Sequence, residues 1–370
     1  MAYISKGAYG VVYHNQSRPG HVIKQYFTRK NNKGPSKVNS EIKKLRQIYE
    51  ITKNKGHLME KIEGITYNRI PNNVKHKPNI SRFFEANRNS YNALRMPNLG
   101  IDLLYFKHYL KHDRKKLEGT VDSADFIPRL LLQYHKLIHQ IYLFSINGVC
   151  HGDIHEKNIM INPTTCDMTL IDFDLFGSYH DYIEKYLMGE YKNATFSHMP
   201  PEYLIIRKQI TDFDMSVYSN AGNITDILND VYKIPYPQRV PYIREANSKN
   251  TEYLLRMNPE SNFSFDFIAT NLLQFYDNFG LGNELLLLLY SLYPAIINEA
   301  IKNSDDRNTQ MLKKTIQLLK RMSSFVMAER PTPKQAIEEM EQIINKVSGG
   351  RKSKRNKRRY STRSYRKHKI

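Results

Sequence analysis

The sequence predicts an α+β fold in two lobes, a small one of strands with a helix and a larger one that is mainly helical. Three observations point there. The chain has 370 residues and a mass of 43.5 kDa, which at roughly 100–200 residues per domain suits two lobes or domains. Its N-terminal stretch carries short apolar strand patterns separated by turns, at residues 4–13, 21–24 and 91–96. Residues 126–147 then place Leu130, Leu131, Tyr134, Leu137, Ile138, Ile141 and Phe144 at helical spacing and end at Gly148.

Along the chain, Ile4-Ser5-Lys6-Gly7-Ala8-Tyr9-Gly10-Val11-Val12-Tyr13 reads as strand, turn and strand. His21-Val22-Ile23-Lys24 follows as a further strand that ends in a cation. Residues 29–37 are polar with Gly and Pro and read as a loop. A helix is expected over 40–51, with Ile42, Leu45 and Ile48 on its apolar side and Glu41 in its first turn, where the helix dipole favours an acid. Residues 91–96 read as a strand running into Pro97-Asn98-Leu99-Gly100.

The chain is organised around residues 151–174, H-G-D-I-H-E-K-N-I-M-I-N-P-T-T-C-D-M-T-L-I-D-F-D. Two apolar runs flank an Asn-Pro-Thr-Thr turn signal and predict a hairpin. Asp153 and Asn158 precede it and Asp172 follows it, so all three can meet at one end. A carboxylate to orient a hydroxyl, an amide oxygen and a second carboxylate for a metal are the groups that phosphoryl transfer needs.

This constellation resembles the catalytic and metal-binding loops of the protein-kinase family. Residues 4–13 resemble its glycine-rich loop, with Gly7, Gly10 and Val12 matching and Ser5 in place of the first glycine; His21 to Lys24 resemble its V-A-I-K strand. Ala194-Thr195-Phe196-Ser197-His198-Met199-Pro200-Pro201-Glu202 resembles the end of its activation segment, and Glu329-Arg330-Pro331-Thr332-Pro333 its late R-P-T motif, whose arginine pairs with the buried glutamate at Glu202. The resemblance implies a bilobal fold, with an N-lobe over 1–96, a C-lobe over 97–345 containing an insertion at 203–264, and a disordered basic tail over 346–370.

It also implies residue roles, with ATP and Mg²⁺ as cofactors. Asp153 would orient the acceptor hydroxyl, and Asn158 and Asp172 would hold Mg²⁺. Lys24, positioned by Glu41, would hold the phosphates. His155 stands at the position of a lysine near the γ-phosphate, and Thr195 at the threonine that reaches the catalytic aspartate in serine/threonine kinases. Ile4, Ser5, Lys6, Gly7, Ala8, Tyr9, Gly10 and Val12 would cover the nucleotide, with Met96 near the adenine. Phe265-Asp266-Phe267-Ile268-Ala269-Thr270-Asn271-Leu272 resembles the start of the central helix, D-V-x-S-x-G in the family, so Asp266 is expected to hold the catalytic-loop backbone, with residues 217–222 the competing candidate. The expected activity is phosphorylation of serine or threonine in protein substrates.

Some positions depart from the family pattern. Gly152 replaces an arginine, Asp174 replaces the glycine of D-F-G, and Lys157 stands where tyrosine kinases carry arginine. H-G-D-x-H-x-x-N also resembles the aminoglycoside and choline phosphotransferases, which are the alternative, together with a pseudokinase scaffold. Thr195, Glu202 and Arg330 favour a protein kinase, and the presence of Lys24, Glu41, Asp153, Asn158 and Asp172 argues against a scaffold.

Charge adds a partner. The formal net charge is +20, and residues 351–370 hold eleven Lys/Arg and no acid, which leaves +9 on the rest. Such a tail gives generic affinity for nucleic acid or another acidic partner, or nuclear targeting, rather than sequence readout. Only Cys150 and Cys166 are present, too few for a disulfide framework, and both are expected to be reduced and packed near the hairpin. The apolar run at 285–297 is broken by Ser291 and Pro294 and is too short to span a bilayer, and no signal peptide is expected. An intracellular monomer follows, cytoplasmic or nuclear. The Asn/Lys/Ile/Tyr-rich composition with a Gly-Gly-basic tail resembles kinases encoded by large DNA viruses.

Overall fold

The computed structural model describes residues 3–6, 10–14, 20–26, 34–53, 60–62, 65–66, 89–90, 93–117, 125–187, 199–206, 212–259, 263–292 and 307–348. These residues form a mixed α+β chain, mostly helical, with small antiparallel sheets. The turn residues Gly7, Ala8 and Tyr9, Thr195, and residues 349–370 of the basic tail lie outside the described residues, whereas residues 346–348, expected in the disordered tail, are helical and continue the last helix.

Among the described residues before 98 there are seven strands: β1 (Tyr3–Lys6), β2 (Gly10–His14), β3 (His21–Tyr26), β4 (Glu60–Ile62), β5 (Ile65–Thr66), β6 (Asn89–Ser90) and β7 (Ala93–Pro97). Five of them make one sheet in the order β1-β2-β3-β7-β4, and β5 pairs with β6. β3 is central. Its Val22 and Ile23 are buried, and the register sets Lys24 opposite Val12 on one side and Leu94 on the other.

The helix expected over 40–51 is longer. It is α1 (Gly34–Thr52), so residues 34–37 are helical rather than part of a loop, and Glu41 lies two turns in rather than at the start. Pro35 explains the difference: in a first turn its missing N–H costs nothing, so the Gly-Pro signal marks a helix start. Leu45 and Ile48 bury α1 in the main core.

Residues 98–100 connect β7 to β8 (Ile101–Asp102). A side chain at Gly100, where φ is +103°, would put its Cβ 2.2 Å from the carbonyl oxygen of Ile161, so only glycine lets the connection lie against the hairpin. Asp102 then caps α2 (Leu103–His112) by accepting from Tyr105 N–H at 2.9 Å. α3 (Phe126–Ile146) is the expected core helix, and its predicted apolar residues are all buried. It delivers the chain to β9 (Val149–Cys150).

The predicted hairpin is β10 (Ile159–Ile161) with β11 (Met168–Leu170), Ile159 facing Leu170, and β8 adds a third strand. Its turn closes on Asn162, whose side chain accepts from Thr164 N–H at 2.9 Å and Thr165 N–H at 3.2 Å. β12 (Gly177–Ser178) returns to pair with β9, and α4 (Tyr179–Tyr182) follows. Cys150 and Cys166 are free and buried, as expected.

Helices complete the chain: α5 (Glu202–Ile206), α6 (Asp212–Ser219), α7 (Gly222–Asp226), α8 (Tyr236–Met257), α9 (Phe265–Asn271), α10 (Leu273–Leu292), α11 (Arg307–Met322) and α12 (Pro333–Ser348). α10 is apolar on every side and almost wholly buried, as a helix must be when others surround it. No described helix is long and apolar enough to cross a membrane. The stretch 203–264 is mainly helical and built into the core: Asn250 of α8 donates to Phe325 O at 2.9 Å and accepts from Met327 N–H at 2.7 Å.

One ion pair ties α5 to the segment before α12. Arg330 Nη1 and Nη2 donate to Glu202 Oε1 and Oε2 at 2.5 and 2.7 Å, with both side chains fully buried. Arg330 Nε also donates to Ser324 O at 2.7 Å, and the guanidinium lies 4.9 Å from the centroid of the Phe279 ring on α10. Each of the three guanidinium nitrogens donates a bond, which offsets the desolvation of the charges. Removing one partner strands the other in the core. Arg330→Ala is expected to cost about 3–5 kcal/mol in urea unfolding, far more than Arg256→Ala on the exposed side of α8.

Candidate active site

The loop at 151–158 is held from below by α10. Asp277 accepts from the backbone N–H of His151 at 2.6 Å and of Gly152 at 2.9 Å. Burial pushes its carboxyl up to about 6, while the two N–H bonds pull it back. Asp266, expected in this role, instead projects from α9 with its side chain 88% exposed, near His180. Residues 217–222 do not supply the contact either. The signal was present downstream: Asp277-Asn278-Phe279-Gly280-Leu281-Gly282 keeps the five-residue Asp-to-Gly spacing of D-V-x-S-x-G. Gly282 has a reason of its own, since a Cβ there would lie 2.7 Å from that of Met322.

Gly152 has φ +78°, and a Cβ there would lie 2.5 Å from the Tyr182 ring. Tyr182 is buried, donates to Gly152 O at 3.3 Å, and packs on Tyr276 at 5.1 Å between centroids. A tyrosine on α4 therefore fills the space beside the loop.

His151 joins the loop to the end of the hairpin. Its Nε2 lies 3.0 Å from Ile171 O, which can only accept, so Nε2 carries the proton and Nδ1 accepts from Asp153 N–H at 3.3 Å. Burial lowers its pKa to about 4, so it serves as a neutral strut. Asn158 Nδ2 donates to Asp153 O at 2.9 Å and to Asp153 Oδ2 at 3.1 Å, while Asn158 O accepts from Ile171 N–H at 2.9 Å. These bonds bring the two residues together at the end of the hairpin where Asp172 leaves it. His155 Nδ1 accepts from Lys157 N–H at 3.2 Å, and its Nε2 lies 3.7 Å from Asp153 Oδ1. Burial lowers the His155 pKa, but the Asp153 carboxylate outweighs it and the net shift is upward.

Asp172 is the strained member. It holds φ 59° and ψ 69°, left-handed values that a non-glycine residue keeps only when its surroundings impose them. Phe173 supplies one constraint through its buried ring, 4.7 Å from His151 and edge-on to Phe144 and Phe176. Lys44 supplies another, donating to Phe173 O at 3.1 Å and Asp174 O at 2.6 Å.

Across from this loop, Lys24 Nζ lies 2.9 and 3.3 Å from the two carboxylate oxygens of Glu41, so the predicted pair forms. Burial would lower the Lys24 pKa, yet Glu41, Asp172 and Asp174 together raise it. Asp172 shows the reciprocal field: burial raises its pKa, Lys24 lowers it, and Asp174 and Asp153 raise it again. Lys24, Asp172 and Asp153 thus share one electrostatic neighbourhood. Ile4, Ser5 and Lys6 fall on β1, Gly10 and Val12 on β2, and Met96, half-buried, faces Val22 on β3.

No protein-family model matches this chain. The site's own chemistry must therefore decide what it can hold. Among the described residues no group of three or more His, Cys, Asp or Glu side chains is arranged as a metal site. Mg²⁺ needs only one or two carboxylates, since phosphates and water complete its shell. With Nδ2 of Asn158 committed to Asp153, the amide oxygen remains as a hard ligand, and the repelling carboxylates of Asp153, Asp172 and Asp174 gain from a divalent cation.

A second charged group underlies the loop. Lys107 of α2 pairs with Glu156 at 2.5 Å, and both are largely buried. Glu284, fully buried on α10, stands in the field of both and of His155 and Asp226; burial pushes its carboxyl up to about 8. An acid whose folded pKa lies above its unfolded value stabilises fully below the unfolded pKa and loses that contribution as pH rises through the folded one. Wild-type stability should therefore fall between about pH 4.5 and 8 from this group. Glu284→Gln should flatten that fall, so its urea midpoint exceeds the wild type's most clearly at the alkaline end; parallel pH curves for the two proteins would refute the assignment.

Proposed function

We propose that this chain is an ATP- and Mg²⁺-dependent protein kinase of the bilobal kinase fold, transferring the γ-phosphate to serine or threonine hydroxyls of protein substrates. One observation carries the reading: the Lys24–Glu41 pair and the Asp153, Asn158 and Asp172 group, drawn from opposite sides of the molecule, share one electrostatic site. The five-stranded sheet with α1, and the helices around α10, correspond to the N-lobe and C-lobe of that fold.

Asp153 is the group that receives and orients the acceptor hydroxyl, and Asn158 keeps its carboxylate aimed. Lys24, immobilised by Glu41, binds phosphate oxygens as a fixed cation. Asn158 and Asp172 would hold Mg²⁺, which when bound supplies charge neutralisation on the phosphates. The backbone between β1 and β2 would close over the nucleotide, with Met96 beside the base. His155, next to Asp153, offers a cation near the transferred phosphate.

The buried Glu202–Arg330 pair supports a protein kinase over an aminoglycoside or choline phosphotransferase, because it braces the region after the activation segment where a polypeptide would dock. The tail at 351–370 is proposed to bind nucleic acid or another acidic partner, in an intracellular, cytoplasmic or nuclear setting and in a virus-encoded protein.

The direct test is transfer from γ-labelled ATP onto a protein panel beside a small-molecule panel; label on an aminoglycoside or choline alone would overturn the reading. Asp153→Asn should lower turnover by about 10²–10⁴-fold with nucleotide affinity nearly intact, whereas Asp172→Asn should weaken Mg-ATP binding. A second expectation concerns activation. Because Tyr182 occupies the space beside Gly152 and no arginine stands there to clamp a phosphate, the enzyme is expected to be active without phosphorylation between Phe173 and Asn193. Phosphatase-treated and autophosphorylated protein, with occupancy checked by mass spectrometry, should differ in turnover by less than about 10-fold.

A further inference from the structure

α1 makes two contacts with the site, and the reading above uses only one. Glu41 holds Lys24. Lys44, three residues on and so on the same side of the helix, reaches 129 and 130 residues along the chain to the carbonyls of Phe173 and Asp174. Those carbonyls directly follow Asp172, the residue in the left-handed conformation. An ammonium with three donors can bind both acceptors at once, and holding two successive carbonyls toward α1 fixes the peptide planes just downstream of Asp172, so that its left-handed backbone is anchored on the side where the chain leaves it. Leu45 and Ile48 bury the next turn of α1, so Lys44 acts from a fixed base.

We propose that Lys44 is a positioning residue: its ammonium, bound to the carbonyls of Phe173 and Asp174, holds Asp172 in its metal-facing conformation and ties that carboxylate to the helix that positions Lys24. Phosphate grip and metal grip are then set by the same helix.

The metal half of this inference rests on the kinase reading, and the test separates the two. Lys44→Met and Lys44→Arg would be made in the full chain. Hydrogen exchange of the amides at 172–176 is measured without nucleotide, and Mg²⁺ is titrated against binding of a fluorescent ATP analogue. For Lys44→Met, exchange across 172–176 should speed up by about 10-fold, and the Mg²⁺ concentration for half-saturation should rise by about 10-fold. Mg²⁺-free binding of the analogue should stay within about twofold. Lys44→Arg, which keeps the charge and donors, should restore most of both. Unchanged exchange in Lys44→Met overturns the inference whatever the protein's activity; faster exchange with unchanged Mg²⁺ dependence overturns the metal half. A wild type whose analogue binding ignores Mg²⁺ would fail the kinase reading instead, and the exchange result would still decide whether Lys44 holds the loop.

Discussion

The site depends on the carboxylate of Asp277. Two consecutive backbone N–H groups, those of His151 and Gly152, point into the core and have no strand or helix partner, so without an acceptor each would cost about 1–3 kcal/mol. Asp277 satisfies both from a helix that is itself the most deeply buried in the protein. Everything after it follows in sequence: His151 is fixed and reaches Ile171, Asp153 donates its backbone N–H to His151 Nδ1, and Asn158 locks onto Asp153. A flexible polar loop becomes a rigid one because its first two amides are nailed to a rigid helix.

The opposite wall is built by a different means. Lys24 leaves the central strand of a sheet whose neighbours fix its register, and Glu41 leaves a helix whose leucine and isoleucine fix its depth. An ion pair between two half-buried groups contributes little stability by itself, because desolvation offsets the Coulomb gain. Its worth here lies in geometry. The pair holds a cation where Glu41 and two carboxylates from the other wall, Asp172 and Asp174, raise the pKa of its ammonium, which keeps it charged.

Much of this was legible in the sequence, and the parts that were not share a cause. The hairpin and the long helix before it rest on turn signals and on periodicity within a few turns, while the Lys24–Glu41 and Glu202–Arg330 pairs are implied by the resemblance of their motifs to those of the protein kinases. An apolar helix follows Asp266 as well as Asp277, so apolarity alone does not pick out Asp277. Its D-N-F-G-L-G spacing was the better guide. Lys44 was invisible, since its partners are backbone carbonyls, which any sequence provides. Tyr182 was likewise hidden: Gly152 looked like a missing arginine, and the ring that takes up the room lies 30 residues away. The start of α1 was obscured by reading Gly34-Pro35 as an interruption.

Asp277 and Glu284 are seven residues apart on α10, about two helical turns, and so face the same way. One binds the start of the loop at 151–158, and the other sits in the field of Lys107, Glu156 and His155 at its middle. The helix is thus a ruler laid under the loop, graduated in carboxylates. A ruler of this kind couples two properties usually treated as separate. Any change in the leucine packing that slides or rotates α10 also displaces the marks against which the loop is set, so the interior of the protein and the alignment of its reactive groups are bound to vary together.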